Sequence, residues 1–308
     1  MDRLGAMSML IEVVESGSFS AAARRLRIPL TTVARKISDL ESALGAKLMI
    51  RTTRKLSLTD AGITYVATAR RIIDQVNEAE REVAGEFTVP RGDLVITAPI
   101  QFGQLHVLPI VTDFLALFPE INIRLLLLDQ NVQLVNDHVD MAVRIGKLAD
   151  SALISTSIGA MRTVICASPR LLAVHGVPTT IADLQRMPCV TFEGPGPLSG
   201  WNLTDPRTKT PVIVPVTTRL SVTTVEAAVR GALLHVGITR LLHYQVAGAV
   251  KAGALKIVLE PFEPVPAPVS VVHAAQGQMP LKMRRFMDFS IPKLRQGLLE
   301  FLDAKTER

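Results

Sequence analysis

Cysteine and aromatic residues are scarce in this sequence of 308 residues. Aromatic side chains make up 4% of it, and the only cysteines are Cys166 and Cys189. Two cysteines 23 positions apart cannot form the disulfide framework of a small secreted domain, and their spacing matches no metal-binding motif. We therefore expect two buried, reduced thiols, no metal ion and no cofactor.

Long apolar runs are also missing. A membrane-spanning helix needs about 20 apolar residues, whereas the leucine run at 125–128 has four and is typical of a buried strand. At the N-terminus, acidic residues interrupt the apolar stretch MDRLGAMSMLIEVVESGSF, so it lacks the core of a secretory signal peptide. These absences predict a cytoplasmic protein with no membrane segment.

What the sequence does contain is a large apolar fraction and an uneven distribution of charge. Hydrophobic residues make up 48% of the chain, which is enough to bury a core, and the length predicts two or three domains. The formal net charge is +6, yet residues 20–55 alone carry +7, because they hold nine basic and two acidic residues. This concentration of charge favours a polyanionic partner for the N-terminal segment.

The first 58 residues have the pattern of three short helices followed by a β-hairpin. Apolar residues at helical spacing indicate helices at 4–16, 19–26 and 31–43, with tight turns between them. Residues 46–58 change to the alternation of strands and have a basic tip. This order of elements is typical of a winged helix-turn-helix.

A helical pattern of about 27 residues begins at Thr59. Its stripe recurs at alternating spacings of three and four, as in a coiled coil. A helix of this length spans ~40 Å, and pairing with a second copy is the simplest way to bury its apolar surface. The composition of FTVPRG at 87–92 indicates a hinge after it. The stripe consists of Val66, Ala69, Ile73, Val76, Glu80 and Val83.

The rest of the chain alternates between strand-like and helix-like segments, which is typical of a mostly parallel sheet with helices on its faces. The pattern repeats with variations from about 163 to 260, and the proline-rich segment 261–268 indicates a crossover between two lobes. The individual predictions are strands at 93–99, 121–128 and 139–145, helices at 104–118 and 131–136, a late strand VSVVHAA and a final helix at about 280–303.

Several spaced motifs carry a resemblance to a known family. The blocks GSFSAAARRL, TTVARKISDLESALG and AKLMIRTTRKLSLTDAG, between Gly17 and Gly62, closely resemble the N-terminal domain of LysR-type transcriptional regulators. Looser similarity continues through GDLVITAPIQFG, FPEINIRL, DMAVRIGKLADSALI and VICASP. The resemblance implies an α/β protein with a winged helix-turn-helix DNA-binding domain at 1–58, a linker helix and hinge at 59–91, and an effector-binding domain at 92–308. That last domain has the two-lobed fold of type 2 periplasmic binding proteins, with lobe 1 at about 92–162 and 268–308 and lobe 2 at about 163–267.

The resemblance also implies that the third helix enters the major groove of double-stranded DNA. There the first residues of such a helix meet base edges, and Arg35 could hold a guanine or a phosphate. Cations on the wing suit contacts with the DNA backbone or minor groove, although a solvated surface is the alternative. The expected DNA-binding residues are Leu30, Thr31, Thr32, Ala34 and Arg35 on the helix and Arg51, Thr52 and Arg54 on the wing.

The chain departs from the family pattern at the start of this helix. Pro29 and Leu30 stand where members usually carry serine and glutamine, and Ala34 replaces a serine. A glutamine that often reads a base is therefore missing. Because Pro29 has no capping hydroxyl, we expect the helix to begin at Thr31. Met49 stands where phenylalanine is common.

The second half is similar to the family's sensor domain, whose ligands lie beyond the carboxyl ends of the strands. We expect a small effector between the lobes, and a carboxylate is favoured because a helix beginning at Thr224 would offer its N–H groups to an anion. The alternative is that Arg144 forms a structural ion pair and that the threonines only cap helices. The expected effector-binding residues are Pro99, Ile100, Gln101, Phe102, Arg144, Gly146, Thr191, Thr223 and Thr224.

These features predict a ligand-responsive transcriptional regulator that acts as a homodimer or homotetramer. A solute-binding protein built on the same two-lobed fold is one alternative, but the basic N-terminal domain argues against it. An enzyme is the other, but the histidines are scattered and no nucleophile, base and orienting group come together. The sequence does not identify the effector or the target genes, and it does not indicate whether the protein activates or represses transcription.

Overall fold

The computed structural model describes residues 2–51, 56–83, 89–130, 133–134, 137–148, 153–192, 200–274 and 279–303. Two compact units are formed. The first, Met1–Gly92 with Gln278–Lys282, contains the predicted DNA-binding head and linker helix. The second, Asp93–Gly277 with Met283–Arg308, contains the predicted sensor.

Three helices build the head, α1 (Arg3–Ser16), α2 (Phe19–Leu26) and α3 (Leu30–Leu44). Their apolar faces form one core. Ser18 starts α2 by accepting a hydrogen bond from the Ala21 N–H at 3.1 Å. The turns after α1 and α3 use glycines with positive φ, 70° and 65°, a conformation that other residues rarely adopt. Fully buried members of this core include Leu10, Val33, Ile37 and Leu40.

The start of α3 differs from the prediction. The helix begins at Leu30 rather than Thr31, and Pro29 occupies the N-cap position without any side-chain hydrogen bond. Its carbonyl oxygen accepts from the N–H groups of Thr32 and Val33, at 3.0 and 3.3 Å. The fixed φ of proline, −59° here, is already suited to this position, so no hydroxyl is needed to begin the helix.

The predicted wing is confirmed as two antiparallel strands, β1 (Met49–Arg51) and β2 (Leu56–Leu58), in which Ile50 lies opposite Ser57. The basic tip, residues 52–55, lies outside the described residues. A buried carboxylate joins the wing to α3. Glu41 accepts hydrogen bonds from the backbone N–H groups of Leu48 at 2.9 Å and Met49 at 3.2 Å.

The linker helix α4 covers Asp60–Val83. Gly62 allows its first turn to approach the wing, because a Cβ there would collide with the carbonyl oxygen of Leu48. The two halves of the predicted coiled-coil stripe differ in burial. Val66 and Ala69 are buried within the unit, whereas Ile73 and Val76 are only half-buried.

The first lobe of the sensor is built on a five-stranded sheet of order β4-β3-β5-β14-β6. Its strands β3 and β5 are parallel, and β14 is antiparallel to both β5 and β6. The strands are β3 (Gly92–Ala98), β4 (Ile121–Leu127), β5 (Met141–Ile145), β6 (Leu153–Met161) and β14 (Ala267–Ala274).

The second lobe has its own five-stranded sheet, of order β11-β8-β12-β7-β13. The pairs β11–β8 and β8–β12 are parallel, whereas β7 is antiparallel to β12 and β13. An antiparallel hairpin, β9 (Trp201–Thr204) with β10 (Pro211–Val214), lies outside this sheet. The sheet strands are β7 (Thr163–Ala167), β8 (Pro188–Phe192), β11 (Thr217–Val222), β12 (Ile238–Leu242) and β13 (Lys256–Val258).

Both sheets are therefore mixed rather than mostly parallel, which corrects the sequence prediction. The physical reason is that the chain crosses between the lobes twice, at Arg162 and over residues 259–266. The strand that follows each crossing, β7 or β14, runs antiparallel to its neighbours. The strand β6 and the β9–β10 hairpin were not predicted. Of the helix predicted at 131–136, residues 133 and 134 are not helical, and the others lie outside the described residues.

A long apolar helical segment covers the first sheet. It runs from α5 (Ile100–Phe102) through a π-helical turn (Gly103–Val107) into α6 (Leu108–Leu117), four residues earlier than predicted. By length and composition alone, residues 100–117 could cross a membrane. One third of this stretch is buried inside the protein, and Phe114 packs edge-on against Phe286 with ring centroids 5.0 Å apart. We interpret it as a core helix of lobe 1.

The remaining helices are α7 (Pro169–His175), α8 (Ile181–Gln185), α9 (Val225–Leu233), α10 (His243–Lys251) and α11 (Leu281–Asp303), with a 3-10 turn at Glu260–Phe262.

Candidate DNA-binding surface and effector cleft

The helix α3 has one buried and one open face. Val33 and Ile37 are buried in the head, and this places the residues between them at the surface. Leu30 is 45% exposed. Thr31 and Arg35 are exposed, and Thr32 and Ala34 are half-buried. The five residues predicted on this helix thus lie together along the accessible side of its first turns.

Positive charge surrounds this open face. Arg24 and Arg27 on and after α2 are exposed, as is Arg35. Among the described residues of the head, none of these three has an ion-pair partner, whereas Arg25 pairs with Glu12 at 3.1 Å. On the wing, Arg51 ends β1. The other two predicted wing contacts, Thr52 and Arg54, lie outside the described residues.

In the sensor, the predicted site residues of lobe 1 follow the ends of β3 and β5. Pro99 joins β3 to α5, and the backbone N–H of Ile100 donates to the Asp129 carboxylate at 3.0 Å. The side-chain oxygen of Gln101 is buried and has no hydrogen-bond partner within the part of the chain that the structure describes. A buried amide oxygen without a donor needs an explanation, and a bound ligand or water would supply one.

Phe102, also predicted to bind the effector, lies in an aromatic cluster. Its side chain is fully buried, and its ring lies edge-on to Tyr244 of α10 with centroids 5.4 Å apart. His106 contacts both rings, at 4.8 Å from Phe102 and 5.8 Å from Tyr244. Because Tyr244 belongs to lobe 2, these aromatic side chains join the two lobes.

Arg144 and Gly146 lie at the end of β5. Arg144 is half-buried, and burial lowers the pKa of its guanidinium. Its Nη1 lies 3.5 Å from the carbonyl oxygen of Gln130, a distance at the limit of a hydrogen bond. Gly146 has a φ of 115°, and its N–H donates to Pro268 at 2.8 Å. This bond fixes the end of β5 to the start of β14.

The predicted residues of lobe 2 follow β8 and β11. Thr191 is buried on β8, and its hydroxyl lies 3.5 Å from the carbonyl oxygen of Leu220. Thr223 is exposed between β11 and α9. Thr224 caps α9 by accepting from the Ala227 N–H at 3.3 Å, so its hydroxyl already has the helix-capping role that we considered as the alternative.

An ion pair that the sequence analysis missed lies at the crossovers. Arg162 is buried between β6 and β7, and its guanidinium donates to Glu263 at 2.6 and 2.8 Å and to Glu260 at 3.4 Å. The hydrogen bonds that Arg162 donates to Glu263 raise the pKa of its guanidinium. Arg162 is 98 positions from Glu260 and 101 from Glu263, and no local pattern connects it with them.

One side-chain pair could suggest an enzyme, since Ser168 Oγ lies 2.7 Å from His235 Nδ1. Ser168 is only 1% exposed, however, and its oxygen already accepts from the Leu171 N–H as the cap of α7. No third group orients the histidine among the described residues. The pair is a structural contact, and the described residues also contain no cluster that could hold a metal ion.

The fold and these surfaces define a class of protein, a DNA-binding regulator whose winged head is joined to a two-lobed sensor. Comparison with known families agrees in both parts. A family described as "Bacterial regulatory helix-turn-helix protein, lysR family" matches residues 4–63, and "LysR substrate binding domain" matches residues 88–295. The chain belongs to the LysR family of transcriptional regulators.

Curated relatives support this assignment along most of the chain. It is 32% identical over 294 residues to the HTH-type transcriptional regulator CrgA of Neisseria meningitidis serogroup C, covering 95% of this chain and 97% of CrgA. It is 30% identical to the HTH-type transcriptional activator AaeR of Escherichia coli K12, covering 92% and 91%. A regulator of Xanthomonas campestris is 40% identical over 177 residues, which are 58% of this chain and 52% of that protein.

Solved structures show the same architecture. The LysR-type regulator CrgA from Neisseria meningitidis superimposes with a TM-score of 0.60 at 30% identity, covering 94% of this chain and 98% of that one. The full-length Vibrio cholerae virulence activator AphB gives a TM-score of 0.59 at 26% identity, with the same coverage.

Proposed function

We propose that this chain is a cytoplasmic regulator that binds operator DNA through α3 and the wing and responds to a small carboxylate held between the sensor lobes. The observation that carries the DNA-binding part is the open face of α3, where Thr31 and Arg35 lie exposed beside unpaired cations of α2. A helix with this exposure and charge fits the major groove, and the flanking arginines supply phosphate contacts.

Binding to the DNA upstream of the chain's own gene tests this proposal. Fluorescence anisotropy should show binding that weakens as salt rises, because phosphate contacts release counterions. Arg35→Ala should lose about tenfold or more in affinity, in line with ~1–3 kcal/mol for a good base contact. The matched control is Arg70→Ala, which removes the same charge from α4, where Arg70 pairs with Glu15 at 2.6 Å.

Equal affinities for the two variants would place the DNA elsewhere on the protein. No binding by the wild-type chain at low ionic strength would overturn the DNA-binding proposal as a whole.

The effector part rests on the groups around the cleft in the second unit. Gln101 offers a buried oxygen without a donor, Arg144 offers a half-buried guanidinium, and Thr223 is exposed at the entry to α9. The N-terminus of α9 adds backbone N–H groups that favour an anion. A carboxylate fits an arginine and a helix N-terminus, and an amide oxygen can accept a hydroxyl or N–H group of the same ligand.

Isothermal titration calorimetry against a panel of small organic acids tests the effector part. At least one acid should bind the wild-type chain, and Gln101→Leu should weaken that binding through loss of the amide. Absence of heat with every acid, together with an Arg144→Ala variant that behaves like the wild type, would count against a carboxylate in this cleft.

We also propose that the chain assembles as a homodimer or homotetramer. In α4, Ile73 and Val76 are only half-buried and remain available for pairing with a second copy. In the sensor, Leu105, Leu108 and Leu117 are 51%, 45% and 61% exposed on one helical segment and offer apolar surface for a second contact. Sedimentation equilibrium should give a mass of two or four chains, and Val76→Asp and Leu108→Glu should each lower it. A monomer at micromolar concentration would contradict this assembly.

A further inference from the structure

In lobe 2, Arg240 is half-buried, and its Nε atom has no hydrogen-bond partner among the described residues. Arg240 is a cation in the otherwise uncharged strand β12, whose sequence is ITRLL. Opposite it on β7 is Ile165. On the other side, the parallel register pairs Thr239 with Val190, which brings Arg240 beside Thr191, one residue before the end of β8. Side chains alternate along a strand, so Arg240 shares the face of Ile238, Ile165 and Thr191.

This face of the sheet is largely apolar. Ile165 and Ile238 belong to a buried cluster that also contains Trp201 and Leu203 of the hairpin. The Nε atom of Arg240 is buried and has no hydrogen-bond partner. Burial lowers the pKa of the guanidinium, and no described carboxylate acts against that effect.

Comparison with Arg162 shows that Arg240 lacks a carboxylate partner among the described residues. At the crossovers, Arg162 has two hydrogen bonds to Glu263, which compensate for its removal from water. Arg240 is half-buried with its Nε atom withdrawn from water, and no carboxylate among the described residues pairs with it. A buried charge is normally paired, because its desolvation is costly. An arginine presents planar, parallel donors that match the two oxygens of a carboxylate.

We infer that Arg240, with the neighbouring hydroxyl of Thr191, is an anion-binding residue of lobe 2 that takes the carboxylate of a small monocarboxylic acid with an apolar body. This inference rests on the proposed effector-sensing function and adds the residue that recognises the acid group. The apolar surroundings favour a ligand whose remaining surface is hydrocarbon. Thr191, which the sequence analysis assigned to the effector, acts as the second donor to the same carboxylate.

Thermal unfolding and calorimetry with named probes test the inference on the full chain. The probes are acetate, hexanoate and benzoate, with benzamide as the uncharged counterpart of benzoate and chloride and phosphate as inorganic anions. Hexanoate or benzoate should bind and raise the midpoint of unfolding, and benzamide should not. In Arg240→Gln, affinity for the carboxylate should fall at least tenfold, while Arg144→Gln changes it less.

Arg240→Leu separates recognition from folding. Because the Nε atom of Arg240 is buried without a partner among the described residues, the ligand-free variant should be at least as stable as the wild type, yet it should no longer respond to the carboxylate. Arg240→Lys should keep part of the response, because lysine retains the positive charge but lacks the two parallel N–H donors of the guanidinium. A clear loss of ligand-free stability in Arg240→Leu would mean that the guanidinium has a structural role, and would overturn the inference.

The remaining outcomes are also decisive. If Arg144→Gln abolishes carboxylate binding and Arg240→Gln does not, the inference fails while the proposed effector function stands. If chloride or phosphate stabilises the protein as much as benzoate does, or if no carboxylate binds, the assignment to a monocarboxylate is wrong. DNA binding by the head, measured separately with Arg35→Ala, is unaffected by any of these results.

Discussion

Arg162 and Glu263 are joined by two hydrogen bonds of 2.6 and 2.8 Å, and their side chains are only 7% and 9% exposed. Arg162 lies in the first crossover between the lobes, after β6, and Glu263 lies in the second, before β14. The pair therefore ties together the two connections about which the lobes could rotate.

Breaking this pair should destabilise the sensor strongly. Glu263→Ala leaves the buried guanidinium of Arg162 uncompensated, which costs about 3–5 kcal/mol of unfolding free energy. Trp201 is the single tryptophan and is buried in lobe 2, so its fluorescence in urea reports unfolding of this unit. Glu260→Ala is the matched control: Glu260 is 44% exposed and 3.4 Å away, so about 1 kcal/mol or less is expected. Equal costs for the two variants would contradict this account of the pair.

A histidine beside the same crossover should make stability depend on pH. Burial lowers the pKa of His243 below 6.5, Arg162 adds to the lowering, and Glu263 and Glu260 oppose it. The unfolded chain therefore binds a proton that the folded chain does not. The contribution of His243 to the free energy of unfolding is complete above pH 6.5 and is lost as pH falls toward the pKa of the folded state. The free energy of unfolding then changes by at most about 1.4 kcal/mol per pH unit.

His243→Gln should reduce the change in unfolding free energy between pH 7.5 and 5. Urea unfolding at each pH measures this change. His175→Gln, which changes an exposed histidine at the end of α7, should leave the slope as it is in the wild type. A wild-type slope that survives in His243→Gln would show that other groups are responsible.

The buried carboxylate of the head gives a second pH-dependent contribution. Burial raises the pKa of Glu41, but hydrogen bonds from Lys47 and from the N–H groups of Leu48 and Met49 outweigh it, so the pKa is lowered overall. Stability from this group is present above its usual value of 4.5 and is lost as pH falls through the folded pKa. Glu41→Gln should cost the head about 1.5–3 kcal/mol at pH 7, as charge-assisted bonds are lost. Circular dichroism during urea unfolding measures this, and exposed Asp39→Asn should change little.

Local signals predicted the elements well where one residue type decides the conformation. Gly17 and Gly45 end helices with positive φ, and Ser18 caps α2, as their residue types suggest. The start of α3 was missed because we required a capping hydroxyl, whereas the carbonyl of Pro29 fulfils that need. A capping hydroxyl is not required, since proline is common at the N-terminal end of helices.

Long-range features could not be predicted from local patterns. Strand direction depends on which lobe the chain enters next, so β14 and β7 become antiparallel to their neighbours without any change in their own alternation. The partners Arg162 and Glu263 are 101 residues apart and meet only after both crossovers form. Arg240 had no distinctive local signal, because β4 and β5 also hold a single arginine among apolar residues.

The two cysteines should be chemically inert in the folded protein. Cys166 and Cys189 are fully buried, and burial raises the pKa of each thiol to about 12. At pH 8 only about one thiol in ten thousand would then be a thiolate, which is the reactive form. Ellman's reagent should find no reactive thiol in the native chain and two in 8 M urea. Ser42→Cys, which adds an exposed thiol on α3, should react at once under native conditions and serves as the control. Rapid reaction of either native cysteine, or oxidation by mild peroxide without unfolding, would show that lobe 2 opens in solution far more than its packed core implies.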